Sequence, residues 1–224
     1  MIYVSVTDML IFVVKIAIIK CQTPMKLHKP SLVFSLLLFS LTAIVAHASN
    51  QENREIEQKI AATIETNFPR ALETLEQVVN INSGTMNFEG VQEVGAIFSE
   101  QLKELGFDVQ WIDGASFNRA GHLLATRLSK AKGGIKVLLI GHLDTVFPVD
   151  GSFQEFESVD DLYIAGPGIT DMKGGNVIIV EALSALNQLD LLNGLSIKVV
   201  LTGDEERSGK PLSESKKVLI ACEG

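Results

Sequence analysis

With 224 residues, 46% of them hydrophobic, the chain can build one good-sized domain with its own core, or an incomplete pair of domains. Its formal charge of −8 argues against nucleic acid or an anionic membrane surface as the main partner.

The first element in chain order is a leader. From Met25 the sequence reads "MKLHKPSLVFSLLLFSLTAIVAHASNQ". Lys26 and Lys29 make a basic start, residues 31–45 are apolar, and Ala46, His47 and Ala48 form a small-x-small cleavage site. This predicts a secretory signal at 25–48, too short and wrongly flanked for a stable membrane anchor, with Ser49 first in the mature chain. A periplasmic or secreted protein is the expectation. Signal peptides begin at their basic end, so residues 1–24 are expected to be a spurious extension; alternatively the apolar run 9–19 adds a second anchor. Cys21 falls in the leader. Cys222 is then alone, with no internal disulfide open to it, and reads as a small buried hydrophobe.

Residues 50–80 have a helical pattern, with Pro69 expected to mark a break or a new start. "NINSGT" (80–85) is a loop, and residues 88–105 form an amphipathic helix ended by Gly106. The period then changes. "FDVQWID" (107–113), "HLLATRL" (122–128) and "IKVLLIG" (135–141) are strands, the last nearly all apolar and so expected to be central. "NVIIVEALSALNQL" (176–189) is a helix, "LSIKVVLTG" (195–203) another central strand, and "SESKKVLIA" (213–221) the start of a helix. Alternating strands and helices after a helical pair predict an α/β fold, a three-layer arrangement of a largely buried mixed sheet between flanking helices.

Three segments share one design, in which apolar residues run into polar, ionisable ones: "LLIGHLDTVFP" (138–148), "GPGITDMKGG" (166–175) and "LTGDEERSG" (201–209). In open α/β sheets, sites form beyond the carboxyl ends of the strands, so these segments can converge. His142 and Asp144, two apart, share one side of an extended backbone. A carboxylate beside a His can hold one ring proton and leave the other nitrogen free for a metal. By itself the pair equally fits a solvated strand end. Asp171 sits among glycines just before a helix, where it also fits a helix start. Asp204, Glu205 and Glu206 are three acids in a row, which either form a solvated turn or repel one another unless a divalent cation is near. With a cation, one Glu can ligate it while the other takes a proton from water.

Taken together, "GHLDTVFP", "GPGITDMKGG" and "GDEERSG", in this order, resemble the zinc-dependent aminoacylase/carboxypeptidase metallopeptidase family. That family includes glutamate carboxypeptidases, acetylornithine deacetylases and succinyl-diaminopimelate desuccinylases. The resemblance spans roughly residue 56 to the end. "VNINSGT" and "FEGVQEVGAIFSEQLKELGFDVQWID" look closest to the glutamate carboxypeptidase branch. It implies that His142 binds one metal, that Asp144 orients His142, and that Asp171 bridges two zinc ions, with a cis Asp171–Met172 peptide. It implies that Glu205 is the general base and later proton donor, and that Glu206 ligates the other metal. Cobalt or manganese could replace zinc. The implied substrate is a small peptide or N-acyl amino acid, with a C-terminal glutamate as the guess from the branch.

The chain also departs from the family pattern. Each zinc needs one more ligand, a carboxylate and a distant His, yet after Glu206 the acids are Glu214 and Glu223, and no His comes later. The smaller inserted domain through which the family dimerises is missing too. Residues 49–224 are therefore expected to be the N-terminal part of a zinc exopeptidase-like catalytic domain, incomplete at its C-terminus. Two readings stand. One is a metal-dependent carboxypeptidase or amidohydrolase whose activity, and homodimer, belong to a full-length form. The other is an inactive truncated domain with at most partial metal binding. A periplasmic solute-binding domain would share the α/β pattern and export signal but leaves the acids unexplained.

Overall fold

The structure is a computed structural model that describes residues 4–5, 32–131, 134–160 and 163–220. The expected leader start at Met25, all of residues 1–24 but Val4 and Ser5, and Cys222 lie outside the described residues.

Helix α1 spans Leu32–Val79 and runs through Pro69 without the expected break. Proline removes one backbone donor and crowds the preceding turn. Here the turns after it are fixed by packing, because Ala71, Leu75, Val78 and Val79 are all buried in the main core. Among the described residues no helix is long and apolar enough to cross a membrane.

Helix α2, Phe88–Glu104, begins where the Asn87 side chain accepts the Gly90 amide at 3.4 Å. Val91, Val94, Phe98 and Leu102 form its buried stripe. It ends in a Schellman turn. Gly106, at φ +79°, donates to the Lys103 carbonyl, and Phe107 donates to the Leu102 carbonyl. The positive φ is why a glycine stands there.

The main sheet contains β2 (Asp108–Asp113), β3 (Gly121–Arg127), β4 (Ile135–His142) and β7 (Leu195–Thr202), in the order β2-β3-β7-β4. β2 and β3 are antiparallel, β3 and β7 are antiparallel, and β7 and β4 are parallel. The sheet is mixed, with helices flanking it. Helix α3, Gly174–Gln188, connects β4 to β7 and packs Ile178, Ala182 and Ala185 against Ile60 and Ile64 of α1. Leu123, Val199 and Leu201 of the sheet join α1, α2 and α3 in one core.

Among the described residues β4 pairs with β7 alone. Its Leu138 and Ile140 are exposed, while Val137 and Leu139 pack inward. A short antiparallel ribbon also precedes α3: β5 (Glu157–Ser158) and β6 (Tyr163–Ala165), with β1 (Val4–Ser5) on the other side of β6. Strands this short carry too little periodicity to be read from sequence. Short helices α4 (Leu212–Ser215) and α5 (Lys217–Ile220) come after β7.

Candidate metal centre

The parallel pairing of β4 and β7 sets His142 opposite Thr202, so the two strands end side by side. The loops that leave the two strands therefore meet beyond the sheet's carboxyl edge. The loop after β4 is tied to the α1–α2 connection by hydrogen bonds Thr85 N to Thr145 O and Thr145 N to Ser83 O. Gly84 lies so close to this loop that a Cβ there would sit 2.3 Å from the Phe147 carbonyl oxygen.

His142 is 5% exposed. Its Nδ1 lies 2.9 Å from the Asp144 carbonyl oxygen, so Nδ1–H donates there, and its Nε2 lies 2.9 Å from Asp171 Oδ1. Burial alone would lower its pKa. Contact with Asp144 and Asp171 outweighs that and raises it to about 9. The Asn176 side chain fixes the main chain here, donating to the His142 carbonyl at 2.6 Å.

Asp144 is fully buried and does more than orient a histidine. Its carboxylate stands 3.6 Å from His142 Nδ1. It accepts from Thr85 Oγ1 at 2.8 Å and from the amides of Glu205 and Glu206 at 3.0 and 3.1 Å. One carboxylate thus joins the loop after β4 to the loop after β7.

Glu205 and Glu206 each offer a carboxylate oxygen within 4.8 Å of a His142 ring nitrogen and of each other. Asp171 enters from the glycine-rich turn before α3, with a side chain 72% exposed, in non-helical backbone at φ −135°. The Asp171–Met172 peptide is cis. Burial, and then the charge of Asp171, push the Glu206 carboxyl above its usual range, against the pull of His142. A cavity of about 710 Å³ opens beside Asp171 and Glu206, walled by Val146, Phe147, Phe153 and Ile169. A second, of about 410 Å³, shares Glu206, Val146 and Phe147 and extends to Asn87 and Arg207.

The structure thus brings His142, Asp144, Asp171, Glu205 and Glu206 together. It sends Asp204 elsewhere. That carboxylate is fully buried, and Ser215, the Gly209 amide and Lys216 hold it below its usual range although burial alone would raise it. Sequence reasoning also missed Thr85, Asn176 and Lys173. Lys173 is 1% exposed and its Nζ donates to the Ile81 carbonyl at 2.7 Å; burial lowers it to about 7. The available signal for Lys173 was a lone cation inside a glycine-rich turn leading into an apolar helix. Asn176 and Thr85 gave none, because their partners lie far away in sequence.

Residues 138–222 match the family model "Peptidase family M20/M25/M40". Carboxypeptidase G2 of Pseudomonas sp. (strain RS-16) is 33% identical over 166 residues, 74% of this chain and 39% of that protein. A succinyl-diaminopimelate desuccinylase of Acidiphilium cryptum is 31% identical over 139 residues, 61% of this chain and 34% of that protein. The chain therefore spans well under half the length of these relatives. In fold, human carnosine dipeptidase 1 superposes with a TM-score of 0.60 at 24% identity, over 73% of this chain and 37% of that one. The ordered motifs, the match to the family model and the two relatives above 30% identity agree that the chain carries a domain of peptidase family M20/M25/M40.

Proposed function

We propose that this site serves metal-dependent hydrolysis of an amide or peptide bond, releasing a C-terminal amino acid, with glutamate as the first candidate. The activity would belong to a form that carries the rest of the relatives' length. One observation supports this above the others: an imidazole nitrogen and two carboxylates lie within 4.8 Å of one another beside an open cleft.

The donor set suits zinc, and also cobalt or manganese. His142 has Nδ1–H committed to a carbonyl, which leaves Nε2 as its ligand atom once deprotonated. Asp171 and Glu206 add oxygens on the same cleft. A divalent ion held by these three residues would polarise the scissile carbonyl and acidify water. Glu205 takes the proton of the attacking water on its carboxylate as the new C–O bond forms. It then gives that proton to the amide nitrogen as the C–N bond breaks. Asp144 keeps both glutamates in place through their amides. The apolar wall of Val146, Phe147 and Phe153 keeps bulk water away from one side. Carboxypeptidase G2 as a relative is the ground for a small peptide or N-acyl amino acid as substrate. The export reading goes with this: cleavage after Ala48 would leave Ser49 first, which mass spectrometry of the exported protein checks.

A second reading has its own support. Among the described residues this cluster offers one imidazole, so the 224-residue chain is expected to hold at most one metal, weakly, and to be inactive alone. Zinc stoichiometry, measured together with glutamate release from an N-acyl-glutamate, separates the two. Two tight zincs with turnover in this chain would sink the second reading. A longer form with no turnover would sink the first.

A further inference from the structure

Asp204, Glu205 and Glu206 are consecutive, yet they divide into two roles. Glu205 and Glu206 gather beside His142, and Glu206 lines the cleft. Asp204 turns behind the loop, and its buried oxygens are all matched. Oδ2 accepts from Ser215 Oγ at 2.5 Å and from the Gly209 amide at 2.8 Å, and Oδ1 pairs with Lys216 Nζ at 3.1 Å.

A second group closes the same loop from β3. His122, 1% exposed, accepts the Gly203 amide on Nδ1 at 3.2 Å. Its Nε2–H then donates to the Ser215 carbonyl at 2.9 Å. Those two partners fix the neutral tautomer, since an amide can only donate and a carbonyl can only accept. The ring stacks on Phe117, with centroids 4.9 Å apart and planes at 15°. Close by along the chain, Arg119 donates from Nε to the Arg207 carbonyl at 2.7 Å and from its guanidinium to the Ser208 carbonyl at 3.1 Å. The loop after β7 is thus held from behind at Gly203, Asp204, Arg207, Ser208 and Gly209. From the front it is held by Asp144.

We infer that Asp204 is a positioning residue, and that with Ser215 and His122 it forms a rear latch that fixes the Glu205–Glu206 main chain for metal binding. The inference rests on the metal reading above for its consequence, and on hydrogen bonds alone for its geometry. Among the described residues no side-chain hydrogen bond or ion pair anchors either glutamate, and Glu205 is exposed while Glu206 is half-buried. The position of their carboxylates is therefore set by their main chain, which two aspartates grip from opposite sides. A partner one step removed from the ligands typically changes metal affinity by about 10–100-fold when it is lost.

The test uses the full chain and two readouts. Asp204→Asn keeps the shape but loses the pairing with Lys216 and one acceptor position. Ser215→Ala is a milder cut at the same latch, and it decides the matter if Asp204→Asn fails to fold. Arg70→Gln is the control; it removes an ion pair between α1 and α3 (Arg70 to Glu181, 3.0 Å) that does not touch the loop. Zinc titration should show roughly tenfold or greater weakening for the latch variants and none for the control. Amide exchange measured by mass spectrometry on metal-free chain should speed up in 203–209 by roughly tenfold, the scale of one lost hydrogen bond, while the middle of β7 stays protected. Unchanged zinc affinity, or exchange that rises evenly across β7 as in a merely weakened fold, would overturn the latch. A wild-type chain that takes up no zinc would overturn the metal reading instead, and the metal-free exchange pattern then upholds or overturns the latch by itself.

Discussion

β7 and β4 are parallel neighbours with similar apolar composition, yet they live in different surroundings. Ile197, Val199, Val200 and Leu201 of β7 are each at most 2% exposed. On β4, Ile135, Leu138 and Ile140 are 59%, 43% and 54% exposed. Both strands nonetheless deliver two site residues at their carboxyl ends: His142 at the end of β4 with Asp144 just beyond it, and Glu205 and Glu206 after β7. Placing a site residue requires register with a rigid neighbour, and does not require that the strand itself be buried. β7 supplies the rigidity and β4 is carried by it.

The largest expected effect tests what stands at the two strand ends. In a form that carries the rest of the relatives' length, Glu205→Gln should cut hydrolysis by about 10²–10⁴-fold with metal retained, which is what the proposed base role requires. Glu206→Gln should lose metal and activity together, measured by zinc titration beside the assay. Next, Leu201→Ala in β7 should cost about 2–5 kcal/mol in urea unfolding, since it leaves a cavity in packed surroundings. A smaller loss would mean that β7 is not the rigid partner.

The pH dependence comes third and sets β4's end against β3. In chelator, the folded His142 value of about 9 lies above its ordinary 6.5. Its contribution to stability is then full below pH 6.5 and disappears as pH rises through about 9. His122 runs the other way. Burial holds it below 6.5, against the pull of the Ser215 carbonyl and of Asp204, so its contribution is present above 6.5 and lost as pH falls through its folded value. Urea unfolding of wild type, His142→Gln and His122→Gln, from about pH 5 to about pH 10, checks both signs. The smallest effect belongs to β4's exposed face, where Leu138→Ala should change stability by only about 0.5 kcal/mol in urea unfolding, because the side chain is already 43% exposed.

Much of this is legible in the sequence. The four long strands and the helices after 50 come from periodicity, and the five site residues come from three motifs that each end an apolar run or open a helix. The rest depends on partners distant in the chain. Nothing in "IKVLLIG" says whether one or two strands flank it, since two-sided apolar content fits a central strand and an edge equally. Pro69 reads as a break because its local chemistry favours one, and tertiary packing overrides that. Asp204 reads together with its two neighbours because adjacency in sequence suggests a shared site. Its partners at 209, 215 and 216 can be found only once the loop has turned back. Asp144 looks like a histidine's companion, and its grip on the Glu205 and Glu206 amides requires the parallel pairing to be known.

That grip also gives the site a place in time. Asp144 meets Thr85 from 59 residues before it and Glu205 and Glu206 from 61 and 62 residues after it. Loops of that length close late compared with helices and hairpins, whose contacts are local. A ribosome adds about 5–20 residues per second, so His142 emerges roughly 3 to 13 seconds before Glu205 and Glu206 join it. Until then the growing chain holds an imidazole and a glycine-rich turn and no assembled centre. An ion that settles among His142, Glu205 and Glu206 therefore meets all three donors only after Glu206 has been made.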